Sequence, residues 1–230
     1  MKVSMRALVL AGAIGAMSGF LAPLPGVAAQ SVTVGLPKMT TSLSEITIVI
    51  FDTETTGFSA AKERIVEIGA IKIQNGVIVD ERDWLINPQR PIPARVSKVH
   101  GITDEMVKDK PTFDQVYEEF LAFVGDAILV AHNARFDIDM VRAEAERAGL
   151  ATPSNVVIDS LKLFRKWYPE ASSHKLANLA SHVGIEGDGY HRGDADSRFT
   201  ALILFDGLKR NPKCDNLRKL FAAAGGMLVF

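Results

Sequence analysis

Cysteine is almost missing from this chain: its 230 residues hold one, Cys214. A disulfide within the chain is therefore excluded, and so is a zinc cluster built from several thiolates of one chain. A surplus of charge is missing too, since 26 Lys+Arg stand against 27 Asp+Glu for a net charge of −1. The overall field thus offers no general attraction to a polyanion, and any contact with nucleic acid has to be made by a local site. The apolar run over residues 7–22 falls short of the roughly 20 residues a spanning helix needs. No internal repeat or low-complexity tract is present. What is there is a hydrophobic content of 47%, enough for a sizeable core in one domain with appendages.

The appendages are readable first. Lys2 and Arg6 precede the apolar run, and Pro23, Pro25 and Val27-Ala28-Ala29 follow it. That is the layout of a secretory signal cleaved after Ala29; an uncleaved anchor, or an extension without a targeting role, are the alternatives. A contact with membrane is expected only for the anchor. Residues 30–45 are rich in Ser, Thr, Gly and Pro without an apolar period and read as a linker. The folded domain is expected over residues 46–210, with residues 211–230 as a short tail.

Residues 46–51 form a β-branched run ending at Asp52, the pattern of a strand buried on both faces. Two further strands are expected at residues 65–73 and 77–86, joined through Gln74-Asn75-Gly76, where Asn-Gly is a strong hairpin signal. From Pro111 the period changes. Phe113, Val116, Tyr117, Phe120, Leu121 and Val124 recur at three and four residues and are followed by Gly125, an amphipathic helix with its stop. A strand at residues 127–131, a helix ending before Gly149, a short strand at 156–158 and helices at 160–167, 175–183 and 195–208 complete the pattern. The expectation is an α/β fold: an antiparallel meander of three strands, then parallel strands, covered by helices.

Three segments carry candidate chemistry. Asp52-Thr53-Glu54 ends the first strand, and residues two apart in a strand project from one face. Two carboxylates side by side are costly unless one is protonated or a cation sits between them, and hard divalent cations prefer such oxygens. Taken alone, Asp52 as a turn cap and Glu54 as a solvated acid explain the same letters. His132-Asn-Ala-Arg-Phe-Asp137 follows the strand at 127–131 and opens a helix, where Asp137 could equally be a partner of the helix dipole and His132 a packed or capping histidine. His191-Arg-Gly-Asp-Ala-Asp196 follows a loop and opens the last amphipathic helix. A loop histidine titrating near neutrality suits a general base. Asp194 and Asp196 compete as the acid there, and an ordinary capped helix is the plain alternative.

In combination and in this order, the three segments resemble the DEDDh exonuclease family, which includes the proofreading exonuclease subunit of bacterial replicative DNA polymerase. The resemblance spans residues 46–209 and includes Asp52-Thr-Glu-Thr-Thr-Gly57, Ile65-Val-Glu-Ile-Gly-Ala70, Val99-His-Gly-Ile-Thr103, Lys110-Pro-Thr-Phe113, His132-Asn-Ala-Arg-Phe-Asp137 and Asp159-Ser-Leu161. It implies an RNase H-like sheet. It also implies that Asp52, Glu54, Asp137 and Asp196 hold two Mg²⁺ or Mn²⁺ ions and that His191 is the general base. The family's spacing selects Asp196 over Asp194. Thr55, Phe58 and His100 match positions that contact the terminal nucleotide in that family. Two departures occur: Gly193 stands where the family usually has Ala, and Ser197 where Ala usually follows the last Asp.

The activity so implied is metal-dependent hydrolysis from the 3' end of DNA, single-stranded or frayed, releasing nucleoside 5'-monophosphates. A 3'-5' exoribonuclease of the same family is the alternative, and a catalytically silent nucleic-acid-binding module is the alternative of a different class. DNA is favoured over RNA as the partner. The short tail gives no support for attachment to a polymerase. The leader points towards export and the family towards the cytoplasm, so the sequence assigns no compartment.

Overall fold

A computed structural model describes residues 37–230 apart from Glu186 and residues 188–190; the expected signal or anchor over residues 1–29 lies outside the described residues. Among the described residues, no helix is long and apolar enough to cross a membrane. The sheet has six strands: β1 (Ile48–Thr55), β2 (Ile65–Gln74), β3 (Val77–Leu85), β4 (Ile128–Ala131), β5 (Val156–Asp159) and β6 (Leu228–Val229). Their order is β3-β2-β1-β4-β5-β6. The first three pair antiparallel, β1, β4 and β5 run parallel, and β6 closes the edge antiparallel to β5. The mixed α/β architecture expected from the sequence is what forms. The β2–β3 turn places Asn75 at φ 52 and Gly76 at φ 73, left-handed at both positions as a tight hairpin of this hand requires.

Helices cover both faces: α1 (Ala94–His100), α2 (Asp104–Val107), α3 (Phe113–Val124), α4 (Arg135–Ala148), α5 (Ser160–Trp167), α6 (Leu176–His182), α7 (Gly193–Arg210) and α8 (Leu217–Ala223). The two-residue period of β1 divides the core. Ile48 and Ile50 point into one layer with Phe164, Leu179 and Ile203 from α5, α6 and α7. Val49 and Phe51 point into the other, with Phe120 of α3 and Ile138 and Val141 of α4. Each such fully buried side chain contributes roughly 1.5–3 kcal/mol.

Several boundaries differ from the sequence expectation. Strand β1 does not stop at Phe51 but runs on to Thr55, because Thr53 and Glu54 continue the ladder opposite Ile68 and Glu67. The acidic pair thus lies at the carboxyl end of the strand, on one face of it, as the two-residue spacing implied. Residues 39–45, read as linker, lie against the domain: Ser42 bridges Asn216, the Met39 and Thr41 carbonyls accept from Arg218 and Leu217, and Leu43 touches the core. Residues 211–230, read as a tail, supply α8, β6 and the buried ring of Phe230. Helix α7 begins at Gly193, two residues before the expected start, so Asp194 and Asp196 both fall in its first turn.

Candidate active site

The site is built at the carboxyl ends of the parallel strands, beside β1 and β4. There the chain turns one way along the sheet from β1 to β2 and the other way from β4 to β5, and such a switch point leaves a crevice. Asp52 and Glu54 stand on the α7 face of β1. Asp52 is paired with Gly69 of β2, and the missing side chain there admits the start of α7. A Cβ on Gly69 would fall 1.9 Å from the Gly193 carbonyl carbon, and one on Gly193 would fall 2.6 Å from the Gly69 nitrogen. Backbone thus rests on backbone, and this close approach brings Asp196 to the acidic pair. One carboxylate oxygen from each of Asp52, Glu54 and Asp196 lies within 4.8 Å of the others.

Asp137 arrives from the opposite face, in the first turn of α4. Its Oδ1 accepts from the Thr53 amide at 3.0 Å and from the Thr53 hydroxyl at 2.7 Å, so the residue between the two strand acids clasps the third. Asp137 stands outside the trio, yet its charge is second only to burial in holding Asp52 well above the ordinary carboxylate range. Burial, reinforced by Asp196, pushes Glu54 up to about 8. Burial takes Asp137 to about 7 against the pull of its two Thr53 hydrogen bonds. It takes Asp196 to about 6, opposed by His191. Four acids that resist ionising together are a locus short of positive charge.

Does this donor set suit a metal? The donors are all carboxylate oxygens, the chemistry hard divalent cations prefer. Asp196 Oδ1 is moreover buried with no hydrogen-bond partner among the described residues, an acceptor of the kind that a cation would satisfy. The set fits a divalent cation.

His191 is exposed at the mouth of the site, in left-handed backbone at φ 65, with its amide 3.3 Å from Asp196 Oδ2. Asp194 is exposed and outside the trio. His100, at the end of α1, is buried: its Nδ1 accepts from the Ile102 amide, its Nε2 has no partner among the described residues, and burial lowers its pKa. The Thr55 hydroxyl is turned inward and donates to the Gly57 carbonyl at 2.7 Å. The Phe58 ring, by contrast, is 92% exposed and leans on Phe136, 6.3 Å between centroids. His132 does not face the acids. It bridges Ser160 and the His174 carbonyl and lies on Phe164, which is the packed role its plain reading anticipated.

Three participants lie inside the quoted motifs but were given no role from the sequence. Thr53 is one. Asp159 is another: its Oδ1 accepts from the Leu161 and Asn133 amides, capping α5 and fixing the loop that leads to Asp137. The third is Glu67, fully buried on β2, which accepts from the Arg192 guanidinium and from the Gly193 amide at 2.6 Å. It therefore seats the segment between His191 and Asp196. A lone acid inside the apolar run Ile65–Ile71 was the available signal, since charge in a buried strand has to be paired.

Comparison with known proteins agrees with this geometry. The profile of the RNase_T family, described as exonuclease, matches residues 49–204. The chain is 38% identical over 188 residues to the PolC-type DNA polymerase III of Bacillus cereus, covering 80% of this chain and 13% of that protein. For the polymerase of Caldanaerobacter subterraneus the identity is 41% over 162 residues, 70% of this chain and 12% of the relative. The chain thus spans about an eighth of the curated relatives it matches. Among solved structures, exonuclease X in complex with 5' overhanging duplex DNA is 28% identical, with a TM-score of 0.63 over 77% of this chain and 99% of that one. The nuclease domain of 3'hExo, a DEDDh family member bound to rAMP, shares the fold at a TM-score of 0.65 and 20% identity, covering 74% of this chain and 94% of that one.

Proposed function

Because this chain belongs to the RNase_T exonuclease family, whose DEDDh members its motifs match, we propose that it removes nucleotides one at a time from the 3' end of DNA, single-stranded or frayed, as nucleoside 5'-monophosphates. The observation that carries the reading is the trio Asp52, Glu54 and Asp196, with one Asp196 oxygen buried and unpartnered. Asp52, Glu54, Asp137 and Asp196 would hold Mg²⁺ or Mn²⁺, two ions in all. When bound, these cations neutralise the four acids, draw in the scissile phosphate and stabilise the charge that develops on it.

The chain's own residues do the rest. Thr53 keeps Asp137 oriented by two hydrogen bonds, and Glu67 keeps Arg192 and Gly193 fixed so that the first turn of α7 stays on β2. The His191 imidazole, exposed to solvent, takes the proton of the attacking water as its oxygen adds to phosphorus, and the bond to the 3' oxygen of the preceding nucleotide breaks, that oxygen leaving with a proton from solvent. The exposed Phe58 ring offers a stacking surface for the terminal base, and His100 is assigned a contact with the same nucleotide. A frayed or single-stranded end is favoured because a paired end must first be unstacked. The similarity to PolC-type polymerases and to a DNA-bound exonuclease supports DNA, with replication proofreading or repair as the setting.

The test incubates the full chain with 5'-labelled single-stranded DNA or RNA and Mg²⁺ or Mn²⁺, beside Asp52→Ala and His191→Ala. Stepwise, metal-dependent shortening lost in both variants is expected, faster on DNA. Faster shortening of RNA turns the assignment to an exoribonuclease. No shortening with either metal leaves a binding module.

A further inference from the structure

Next to the acidic site, on the side away from β2, lies a second concavity of about 560 Å³ between the end of β4, the start of α5 and the loop before α6. Asn133, Arg165, Ser172, Ser173 and Lys175 reach into it, and its lining includes no Asp or Glu. We propose that this cleft binds the sugar-phosphate backbone of the nucleotides on the 5' side of the one being removed. Such a role rests on the exonuclease reading and places the rest of the strand.

Position comes first. Strands β1, β4 and β5 are successive neighbours, and strands in a sheet are spaced about 4.8 Å apart. The cleft at the ends of β4 and β5 is therefore about 5–10 Å across the sheet from Asp52, a span one or two nucleotides cover. Asn133 lies four residues before Asp137, in the turn that leads into α4, and its amide is fixed by Asp159. A strand whose last phosphate sat at the acids would lead directly into this groove.

Charge comes second. Arginines elsewhere are largely neutralised: Arg64, Arg82, Arg90, Arg192, Arg198 and Arg210 each meet a carboxylate. Arg165 and Lys175 are exposed, and among the described residues neither is in an ion pair. Two uncompensated cations on a cleft wall, with Ser hydroxyls and an Asn amide between them, suit phosphate oxygens. In a chain of near-zero net charge they are a local supply of the attraction that the composition lacks.

The cleft is also built rather than incidental. His132 Nε2 meets the His174 carbonyl at 2.9 Å, and His174 Nε2 meets the Tyr168 carbonyl at 3.0 Å. The loop that carries Ser172, Ser173 and Lys175 is thereby tied to the strand that leads to Asp137. This gives the half-buried His132 a purpose besides packing: it holds the cleft wall at a set distance from the acids.

The experiment compares the full chain with R165E/K175E on two substrates in Mn²⁺. One is a single-stranded DNA 12-mer. The other is thymidine 5'-(p-nitrophenyl phosphate), which has no upstream nucleotide. The ratio of kcat/KM on the 12-mer to that on the mononucleotide ester is expected to fall about 10–100-fold at low salt. The slope of log affinity against log salt for the 12-mer should become shallower by about 1.4, at about 0.7 for each lost phosphate contact of a single strand. R165K/K175R should keep the ratio near that of the native chain. An unchanged ratio in R165E/K175E overturns the proposal, as does an equal loss on both substrates, which would mean general damage. A native chain inert towards both substrates sinks the exonuclease reading itself. That result is distinct from failure of the cleft alone, where the native chain cuts both.

Discussion

Stripping divalent cations should leave this protein most stable in mild acid and progressively weaker towards pH 8. Glu54, Asp137 and Asp196 are held at about 8, 7 and 6 by burial and mutual charge, and Asp52 is raised as well. In the unfolded chain such groups titrate near 4. Between those limits the folded chain binds more protons than the unfolded one, so stability falls as pH rises through the folded values. At full weight, each tenfold change in a carboxyl's proton affinity corresponds to about 1.4 kcal/mol. Allowing for the partial exposure of three of the acids and for screening, we expect a total loss of about 3 kcal/mol, or about 6–12 °C in Tm for a domain of this size. His100 and His132 oppose this, because burial lowers their pKa values and they gain stability as pH rises through the ordinary histidine range. Comparison with Asp52→Asn cancels their part. The assay is thermal melting by circular dichroism at pH 5, 6, 7 and 8 with EDTA, then with Mg²⁺. Mg²⁺ at about a hundred times its Kd should restore about 2.7 kcal/mol at pH 8. In EDTA at pH 8, Asp52→Asn should melt above the native chain while losing hydrolysis. A flat Tm from pH 5 to 8 without metal, or no response to Mg²⁺ at pH 8, would refute the reasoning.

Removing the two halves of the Glu67–Arg192 pair should have unequal effects. Arg192→Met leaves Glu67 buried without its cation and should cost about 3–5 kcal/mol in urea melts, whereas Glu67→Gln keeps an acceptor for the Gly193 amide and should cost about 1–2 kcal/mol; equal costs would contradict the assigned burial. Gly193→Ala, which installs the residue more usual in the family, should destabilise this chain by about 1–3 kcal/mol because its Cβ meets the Gly69 backbone; a neutral result would show that α7 lifts easily. Phe58→Ala should change stability by no more than about 0.5 kcal/mol but raise KM on an oligonucleotide about 5–100-fold, the worth of one stacked base; an unchanged KM would remove the ring from the substrate path.

The parts of the fold legible in the sequence were those whose cause is local. The β2–β3 turn follows from Asn75-Gly76, and α3 follows from its apolar spacing and Gly125. Helices α1 and α2 went unread because they are short and one-sided, although Pro93 before α1 and Gly101 after it, at φ 77, frame a helix in the usual way. Strand β6 and helix α8 exist through pairing with β5 and with residues 39–45, which no local pattern encodes. The same division holds at the site. The motif order pointed to Asp52, Glu54, Asp137 and Asp196. The Thr53–Asp137 clasp joins residues 84 apart and the Glu67–Arg192 pair residues 125 apart, so both depend on sheet register and helix placement.

The contact between Gly69 and Gly193 also bears on how the protein is made. Synthesis delivers Asp52 and Glu54 early and the turn carrying Asp196 some 140 residues later. Until α7 has left the ribosome and settled on β2, two of the clustered acids are present without the third. A chain stalled before residue 193 would hold the residues of the first five strands but not Asp196, and so could not complete the trio. Assembly of the acidic site is in this way deferred until the helix that carries Asp196 is complete.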